Sequence, residues 1–215
     1  DQLYQGRDAI PDDVIAKELA RLGKKQWNTT FNLFDSAKGV DLRLEQIKDA
    51  FAKVPGSEIQ TRRWYAGEPR QPWMRVEPGI PGLSGTDWYG GPGGHINFAP
   101  VSAPIGERVN ALYRMIEKRF HEYGIDYYCG LLNMGARALI VNAVMFFNKD
   151  DEDLTRRGRE LFRVLAKEGA DMGFGDYRAH ISFMDDIAAM YRFNNHALLR
   201  LNERIKDTLD PNGIL

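Results

Sequence analysis

The sequence predicts an α+β fold, an antiparallel or mixed sheet covered by helices, because strand-like and helix-like segments alternate along it. Two strand–helix–strand groups are separated by residues 68–94, a stretch rich in glycine and proline. Residues 138–147 are apolar almost throughout, which is typical of a central strand that is covered on its faces. The 215 residues are enough for one large domain or two small ones.

The first group begins with a helix at Pro11, since proline and the two acids that follow it suit a first helical turn. Gly23 is expected to end this helix. Alternating apolar residues then predict a strand over residues 26–34, and helical spacing predicts an amphipathic helix over 41–54. A second strand over residues 58–65 completes the group.

The second group repeats this rhythm with longer elements. The predicted strands cover residues 96–101, 127–132 and 138–147, and the predicted helices cover 104–123 and 151–169. A turn at Met134-Gly135 is expected to join the second and third of these strands. A short strand over residues 179–184 and helices over 185–191 and 195–209 close the chain. Helices are expected to pack on one face of the sheet.

Composition excludes several classes of function. Lys and Arg number 29 against 30 acids, so charge gives no case for binding nucleic acid or an anionic membrane. A single cysteine, Cys129, excludes an internal disulfide framework and a multi-cysteine zinc site, and we expect it to be buried as a small apolar residue. No apolar run approaches the roughly 20 residues of a membrane span.

The ends of the chain suggest a piece of a longer protein, and the long connecting stretch suggests a site. The chain begins at Asp1 without a methionine and stops just after a turn, so we expect an internal piece of a longer protein. Residues 68–94 carry five of the ten prolines together with Trp73 and Trp88. Long stretches without secondary structure are usually functional or disordered, and two tryptophans favour an ordered loop that wraps a site.

One histidine lies where this glycine-rich stretch meets a strand. His95 follows a run of glycines, which permit close approach of the backbone to a bound group. The run lacks the spacing of a dinucleotide-binding fingerprint and the Lys-Ser/Thr of a phosphate loop. His95 has no partner at metal-ligand spacing, so no metal site is predicted. His121 and His196 are expected at helix surfaces, and His180 in a strand as a structural residue.

Tyr177 and Arg178 are the strongest candidates for chemistry. Neighbours in an extended strand point to opposite faces, but at a distorted strand start both side chains can converge on one anionic oxygen. Arginine offers a charged fork of donors and tyrosine one directed hydroxyl. The alternative is a tyrosine packed at a strand end beside an arginine in water. These two residues alone leave both possibilities open.

Several motifs together carry a family resemblance. They are GGHINFAPV at residues 93–101, DYRAHISFMD at 176–185, and the segment from Asn202-Glu203 to the final DPNGI at 210–214. With Asp126-Tyr127 and the FNK at 147–149, they resemble the C-terminal half of the vanillyl-alcohol oxidase and 4-cresol methylhydroxylase family, which includes eugenol oxidase. The resemblance implies that residues 1–215 form a ferredoxin-like substrate (cap) domain. An N-terminal FAD-binding domain would precede it.

The resemblance also implies roles for individual residues. His95 matches the histidine that tethers the FAD covalently, while Tyr177 and Arg178 match the residues that bind the substrate phenolate. Arg178 would also stabilise negative charge on the reduced flavin. Further residues implied at the substrate pocket are Asp176, Leu131, Asn97 and Trp88. Asn97 stands where relatives often carry an aromatic residue, which puts the size of the pocket in question.

The implied activity is flavin-dependent oxidation of para-substituted phenols of the vanillyl alcohol, eugenol or 4-alkylphenol type. Hydride would leave the benzylic carbon through a quinone methide, and O₂ would reoxidise the FAD. The alternatives are a cytochrome-coupled dehydrogenase and a catalytically inactive α+β binding domain. The other implied partners are the phenolic substrate, the FAD-binding domain and further copies in a homo-oligomer, in the cytoplasm or, for a fungal protein, the peroxisome.

Electrostatics agrees with the implied role of Arg178. A free phenol has a pKa of about 10, and its para oxygen must ionise to ease loss of a benzylic hydride. A guanidinium about 4 Å away at an effective dielectric of about 20 contributes roughly 4 kcal/mol, or about three pKa units. With a hydrogen bond from tyrosine, that would bring ionisation near neutral pH.

Overall fold

A computed structural model of the chain describes residues 9–69 and 93–214. The chain divides into two units, Ile15–Pro81 and a larger one made of Asp1–Val14 with Gly82–Leu215. The helices are α1 (Asp12–Arg21), α2 (Ala37–Phe51), α3 (Gly106–Glu122), α4 (Glu152–Asp171), α5 (Met184–Met190) and α6 (Phe193–Leu209). The strands are β1 (Gly93–Phe98), β2 (Pro100–Ser102), β3 (Tyr128–Asn133), β4 (Leu139–Asn148) and β5 (Gly175–Asp176).

The larger unit is built on one sheet in which β4 is central. β3 pairs with one edge of β4, β1 and β2 pair with the other, and β5 pairs with β2. Each of these pairings between described strands is antiparallel, which confirms the predicted fold class and decides between an antiparallel and a mixed sheet. Phe98 lies opposite Ala143 and Val101 opposite Ile140, so the register continues across Ala99 and sets it level with Asn142.

Helices α3, α4 and α5 cover one face of this sheet. Phe98, Leu112 and Phe162 are fully buried there, and the ring of Phe98 meets Phe162 edge-on at a centroid distance of 6.1 Å. Phe162 in turn stacks on Phe183 at 4.1 Å. Burying three aromatic rings stabilises the fold by several kcal/mol, at roughly 25 cal/mol per Å² of apolar area. For α3, α4 and α5, the expected placement of helices on one face of the sheet is confirmed.

Local sequence explains why the elements of the larger unit begin and end where they do. The side chain of Asp151 accepts the N–H of Leu154 at 3.0 Å and so caps α4. Between β3 and β4, Gly135 has a φ of 116°, a conformation that favours glycine, and Met134 N–H donates to Ala138 O at 2.9 Å. The predicted hairpin at Met134-Gly135 is confirmed.

The smaller unit corrects the prediction for the first group. Its helix α2 is present, and the N–H of Gly39 donates to the side chain of Ser36 at its N-terminus. Residues 26–34 and 58–65, however, form no strand in the described structure. Alternation shows that a segment could present one apolar face, but a strand also needs a partner backbone to pair with. Trp27 and Phe31 are instead 55% and 52% exposed.

Three further expectations change near the C-terminus and in β3. The predicted strand over residues 179–184 is wrong, since β5 ends at Asp176 and His180 accepts the N–H of Ser182 at 3.1 Å to start a 3₁₀ turn. His196 is half-buried with a φ of 55°, not a surface residue of a regular helix. Cys129 is half-buried, and burial raises the pKa of its thiol.

Candidate active site

The face of the sheet opposite α3, α4 and α5, called here the far face, gathers most of the polar candidates. Directly opposed residues in an antiparallel pair share a face, and alternate residues along a strand do so too. Since Ile96, Phe98 and Ala143 pack in the helix-covered core, their neighbours belong to the far face. Its residues are His95, Asn97 and Ala99 of β1 and its extension, Asn142, Val144 and Phe146 of β4, and Tyr128, Gly130 and Leu132 of β3.

His95 lies half-buried on the far face, opposite Phe146. Asn97 lies two residues further along β1 on the same face, opposite Val144, and Val144 is in turn opposite Tyr128 of β3. Within the described ranges, no hydrogen bond occupies the His95 imidazole. The strand therefore holds the ring in place by its backbone and leaves both ring nitrogens available to another group.

Two carboxamides on the far face have oxygens with unmet hydrogen-bonding capacity. The Oδ1 atoms of Asn97 and Asn142 are shielded from solvent, yet neither accepts a hydrogen bond from the described part of the chain. Asn97 faces Val144 and Asn142 lies two residues further along β4, so the two are diagonal neighbours at roughly 7–8 Å between backbones. Buried polar atoms are nearly always paired, so each oxygen calls for a donor from outside these residues.

The side chain of Asp176 links the end of β5 to the junction of β1 and β2 through a hydrogen bond. Its side chain is 1% exposed, and its two oxygens accept the N–H groups of Ala99 at 2.8 Å and of Arg178 at 3.1 Å. Burial raises the pKa of this carboxyl group, opposed by the two backbone donors and by the charge of Arg178. The Asp176 side chain therefore stabilises the local backbone, and both of its carboxylate oxygens already accept hydrogen bonds within the fold.

The turn that Asp176 makes brings Tyr177 and Arg178 together. The N–H of Tyr177 donates to Ala99 O at 3.4 Å, and its side chain is 47% exposed. The guanidinium of Arg178 lies over the Tyr177 ring, 5.2 Å from its centroid, which is within cation–π range. The strand has ended at Asp176, so the two side chains share one side instead of diverging as they would in a regular strand.

Tyr191, the residue after α5, stabilises the same turn. Its hydroxyl donates to the backbone carbonyl of Asp176, and burial raises the pKa of the phenol. Gly175 makes this contact possible, since a Cβ added there would lie 2.8 Å from Cε1 of the Tyr191 ring. The absence of a side chain at residue 175 is therefore a packing requirement.

We expect Gly175→Ala to destabilise the protein by about 1–3 kcal/mol, the usual cost of forcing an extra methyl into a packed contact. The methyl group would push the Tyr191 ring away and break its hydrogen bond to Asp176. Denaturant unfolding measures the change. Gly106→Ala is the matched control, since a Cβ there meets no atom of the described residues within 4 Å. Equal stability of the two variants would contradict this account of Gly175.

One residue predicted at the site is not brought to it, and a second lies outside the described residues. Leu131 is opposite Val141, a core residue, so the register puts Leu131 on the helix-covered side and not with His95 and Asn97. Its neighbours Gly130 and Leu132 are the β3 residues on the far face. Trp88 lies outside the described residues. Sequence reasoning missed Asn142 and Gly130, although pairing β3 and β4 about the Met134-Gly135 turn would have found both.

Other kinds of site find no support in the described ranges. In residues 9–69 and 93–214, no cluster of His, Cys, Asp and Glu side chains could hold a metal ion. None of the helices in these ranges has the length and apolar character needed to span a bilayer. A depression of about 290 Å³ beside α4 is lined by side chains of mixed charge, among them Arg156, Glu160 and Arg163. Its described lining includes neither Tyr177 nor His95.

Comparison with known proteins identifies the domain. A family model described as FAD linked oxidases, C-terminal domain, matches residues 34–215. The flavoprotein subunit of 4-cresol dehydrogenase [hydroxylating] from Pseudomonas putida is 28% identical over 211 residues, which are 95% of this chain and 39% of that protein. The chain spans about two-fifths of the length of the relatives it matches.

Two solved structures match over 100% of this chain. A 4-ethylphenol oxidase from Gulosibacter chungangensis in complex with isoeugenol has a TM-score of 0.82 at 28% identity, with 42% of its chain covered. A p-cresol methylhydroxylase with bound substrate has a TM-score of 0.84 at 27% identity, with 41% covered. These matches confirm the family resemblance found in the motifs, and the chain belongs to the C-terminal domain family of the FAD linked oxidases.

Proposed function

We propose that this chain is the substrate domain of an FAD-dependent oxidoreductase that oxidises para-substituted phenols, including 4-alkylphenols. The observation that carries the proposal is the turn at Asp176, which gathers a phenol and a guanidinium at the end of the sheet. Relatives whose names refer to 4-cresol, 4-ethylphenol and p-cresol support the substrate class. An N-terminal FAD-binding domain would complete the enzyme.

In this proposal Tyr177 and Arg178 bind the substrate oxygen as a phenolate. The guanidinium supplies a permanent positive charge and the tyrosine a directed donor, so both favour the ionised form. Negative charge on the oxygen delocalises to the para position and eases loss of hydride from the benzylic carbon. Asp176 and Tyr191 act at one remove, by holding the backbone that carries the two binding residues.

The far face suits an isoalloxazine ring. His95 has an imidazole with no partner in the described ranges, on a strand fixed by its pairing with β4. We propose His95 as the group that attaches FAD covalently, and Arg178 as a second contact to the cofactor. FAD, when bound, accepts the hydride. We further propose reoxidation by O₂, as in an oxidase; a cytochrome acceptor is the alternative.

One experiment tests the proposed function directly. The full-length protein, purified with its flavin, is mixed anaerobically with a 4-alkylphenol and then exposed to air. Bleaching of the flavin absorbance followed by its recovery with O₂ consumption is the expected result. Bleaching without rapid reoxidation would indicate a cytochrome-coupled dehydrogenase instead. If no phenol bleaches the flavin, the proposed activity is wrong and a catalytically inactive binding domain is the better description.

We expect His95→Ala to leave FAD bound but extractable, with oxidation slower by about tenfold, or about 1.4 kcal/mol in the barrier. The reason is that the imidazole lies on the far face and has no hydrogen-bond partner in the described ranges. Precipitation with acid, followed by absorbance of the supernatant, measures release of the flavin. His121→Ala, on the exposed side of α3, is the control and should release none. Retention of covalent flavin in the His95 variant would contradict the assignment.

A further inference from the structure

We infer that Asn97 and Asn142 hold the water molecule that adds to the oxidised substrate. This inference rests on the proposed function and assigns one further step to the same site. The observation behind it is the pair of carboxamide oxygens that are shielded from solvent and accept no hydrogen bond in the described structure. Both asparagines lie on the far face, on adjacent strands.

A water molecule matches what the two oxygens lack. It has two hydrogens to donate, one for each Oδ1, and a buried water typically has two to four polar partners. Diagonal neighbours on adjacent strands have backbones about 7–8 Å apart, which leaves their side chains within reach of one bridging water. With both hydrogens donated, a lone pair of the water oxygen faces away from the sheet, where the substrate would lie.

Space for this water comes from the residues around the pair. Ala99 is level with Asn142 on one side and Gly130 is opposite Asn142 on the other, so small residues flank it on both strands. Among the described residues, a Cβ added at Gly130 would meet only Leu132, at 3.9 Å. The positions of the two asparagines also agree with their proposed role in the addition of water. Tyr177 follows β5 beside Ala99, and His95 lies beyond Asn97 along β1, so the two amides lie between the phenolate site and the proposed flavin tether.

The chemical step balances without a further reactant. Oxidation of a 4-alkylphenol leaves a quinone methide with an electrophilic benzylic carbon. The water oxygen forms a C–O bond at that carbon, and the electron pair of the exocyclic C=C bond moves through the ring to the phenolate oxygen, held by Tyr177 and Arg178. The second proton of the water passes to bulk solvent. The product is the phenolate of a 4-(1-hydroxyalkyl)phenol, which takes up a proton from solvent on release. Without a held water, the quinone methide formed from 4-ethylphenol instead loses a proton from its methyl group, and the resulting phenolate takes up a proton to become 4-vinylphenol.

The test uses the full-length holoenzyme with 4-ethylphenol in ¹⁸O-labelled water and measures the ratio of labelled alcohol to 4-vinylphenol. Asn97→Leu and Asn142→Leu should each lower this ratio about tenfold, the effect of one lost hydrogen bond, and the ratio does not depend on how fast each variant consumes 4-ethylphenol. Asn142→Ser retains an acceptor and should give an intermediate ratio. Asn133→Leu is the control, since the oxygen of Asn133 already accepts the N–H of Gly135 at 2.8 Å.

Each outcome decides the inference. An unchanged ratio in both leucine variants would overturn it while leaving the proposed function intact. If wild-type enzyme consumes no 4-ethylphenol, the proposed function fails and the inference with it. Melting temperatures provide a readout independent of turnover: since neither oxygen has a donor in the described fold, the leucine variants should melt at or above the wild-type temperature. A large fall, or loss of flavin from both variants, would show that the amides bind protein or cofactor instead.

Discussion

Arg178→Ala is expected to weaken binding of a para-alkyl phenol in its ionised form by about 100- to 1,000-fold. A guanidinium about 4 Å from the phenolate at an effective dielectric of about 20 contributes roughly 4 kcal/mol, less what water recovers by solvating the anion. The turn that presents Arg178 is held by the carboxylate of Asp176 through the backbone N–H, so the alanine variant keeps this contact. The ultraviolet phenolate band of a bound inhibitor reports the change in the full-length protein.

Two milder variants complete a ranking of how strongly each change weakens phenolate binding. Arg178→Lys keeps the charge but loses the planar fork, which also lies over the Tyr177 ring. Tyr177→Phe removes one hydrogen bond to a charged acceptor, worth about 1.5–3 kcal/mol. We expect Arg178→Ala to weaken phenolate binding most, Tyr177→Phe least, and Arg178→Lys by an intermediate amount. Arg192→Ala is the control, since Arg192 pairs with Asp171 on the surface at 2.7 Å. Unchanged phenolate affinity in Arg178→Ala would make this pair structural.

Local sequence predicts the larger unit well because its elements are amphipathic against one core. The apolar spacing of Leu112, Ile116 and Phe120 identified the buried side of α3, and these residues are fully buried. The strands predicted over residues 26–34 and 58–65 failed, because alternation describes a face and says nothing about which backbone will pair with it. Periodicity therefore works best where an amphipathic element packs on a core, as α3 does.

The candidate site was only partly accessible to sequence reasoning, for a related reason. Tyr177 and Arg178 stood out by type, but their convergence depends on Asp176 ending the strand with its own side chain, a local competition that periodicity does not reveal. Leu131 was chosen one residue away from the far face. A one-residue error in a strand exchanges its faces, so strand register had to be known before a pocket-lining residue could be named.

Asp176→Ala is expected to be the most damaging change to the fold near this site. It leaves the N–H groups of Ala99 and Arg178 without their acceptor, at about 1–3 kcal/mol for each buried donor. Because the same carboxylate shapes the turn, affinity for phenols should fall together with stability. Denaturant unfolding and phenol titration of the full-length protein measure both. A variant of normal stability that had lost only phenol affinity would contradict the backbone-holding role and place Asp176 in direct contact with substrate.

The pH dependence of Asp176→Asn tests the electrostatic side of this account. Burial raises the pKa of Asp176 in the folded protein above its unfolded value of about 3.9, so the folded state holds a proton that the unfolded state has already released. Wild-type stability from this group is therefore complete below the unfolded pKa and is lost as pH rises through the folded pKa. Asparagine does not titrate. The melting temperature of Asp176→Asn should therefore rise relative to that of wild type as pH increases from about 4 through the folded pKa of Asp176.

Asp153→Asn should show the opposite sign. A hydrogen bond from Arg156 lowers the pKa of Asp153, so the wild-type carboxylate stabilises the fold above the unfolded pKa and loses that contribution as pH falls through the folded one. Melting temperatures of both variants and wild type across this pH range compare the two groups in one protein. If wild type instead gained on Asp176→Asn with rising pH, the donors from Ala99 and Arg178 would outweigh burial, and Asp176 would be an anion that helps to hold Arg178 in place.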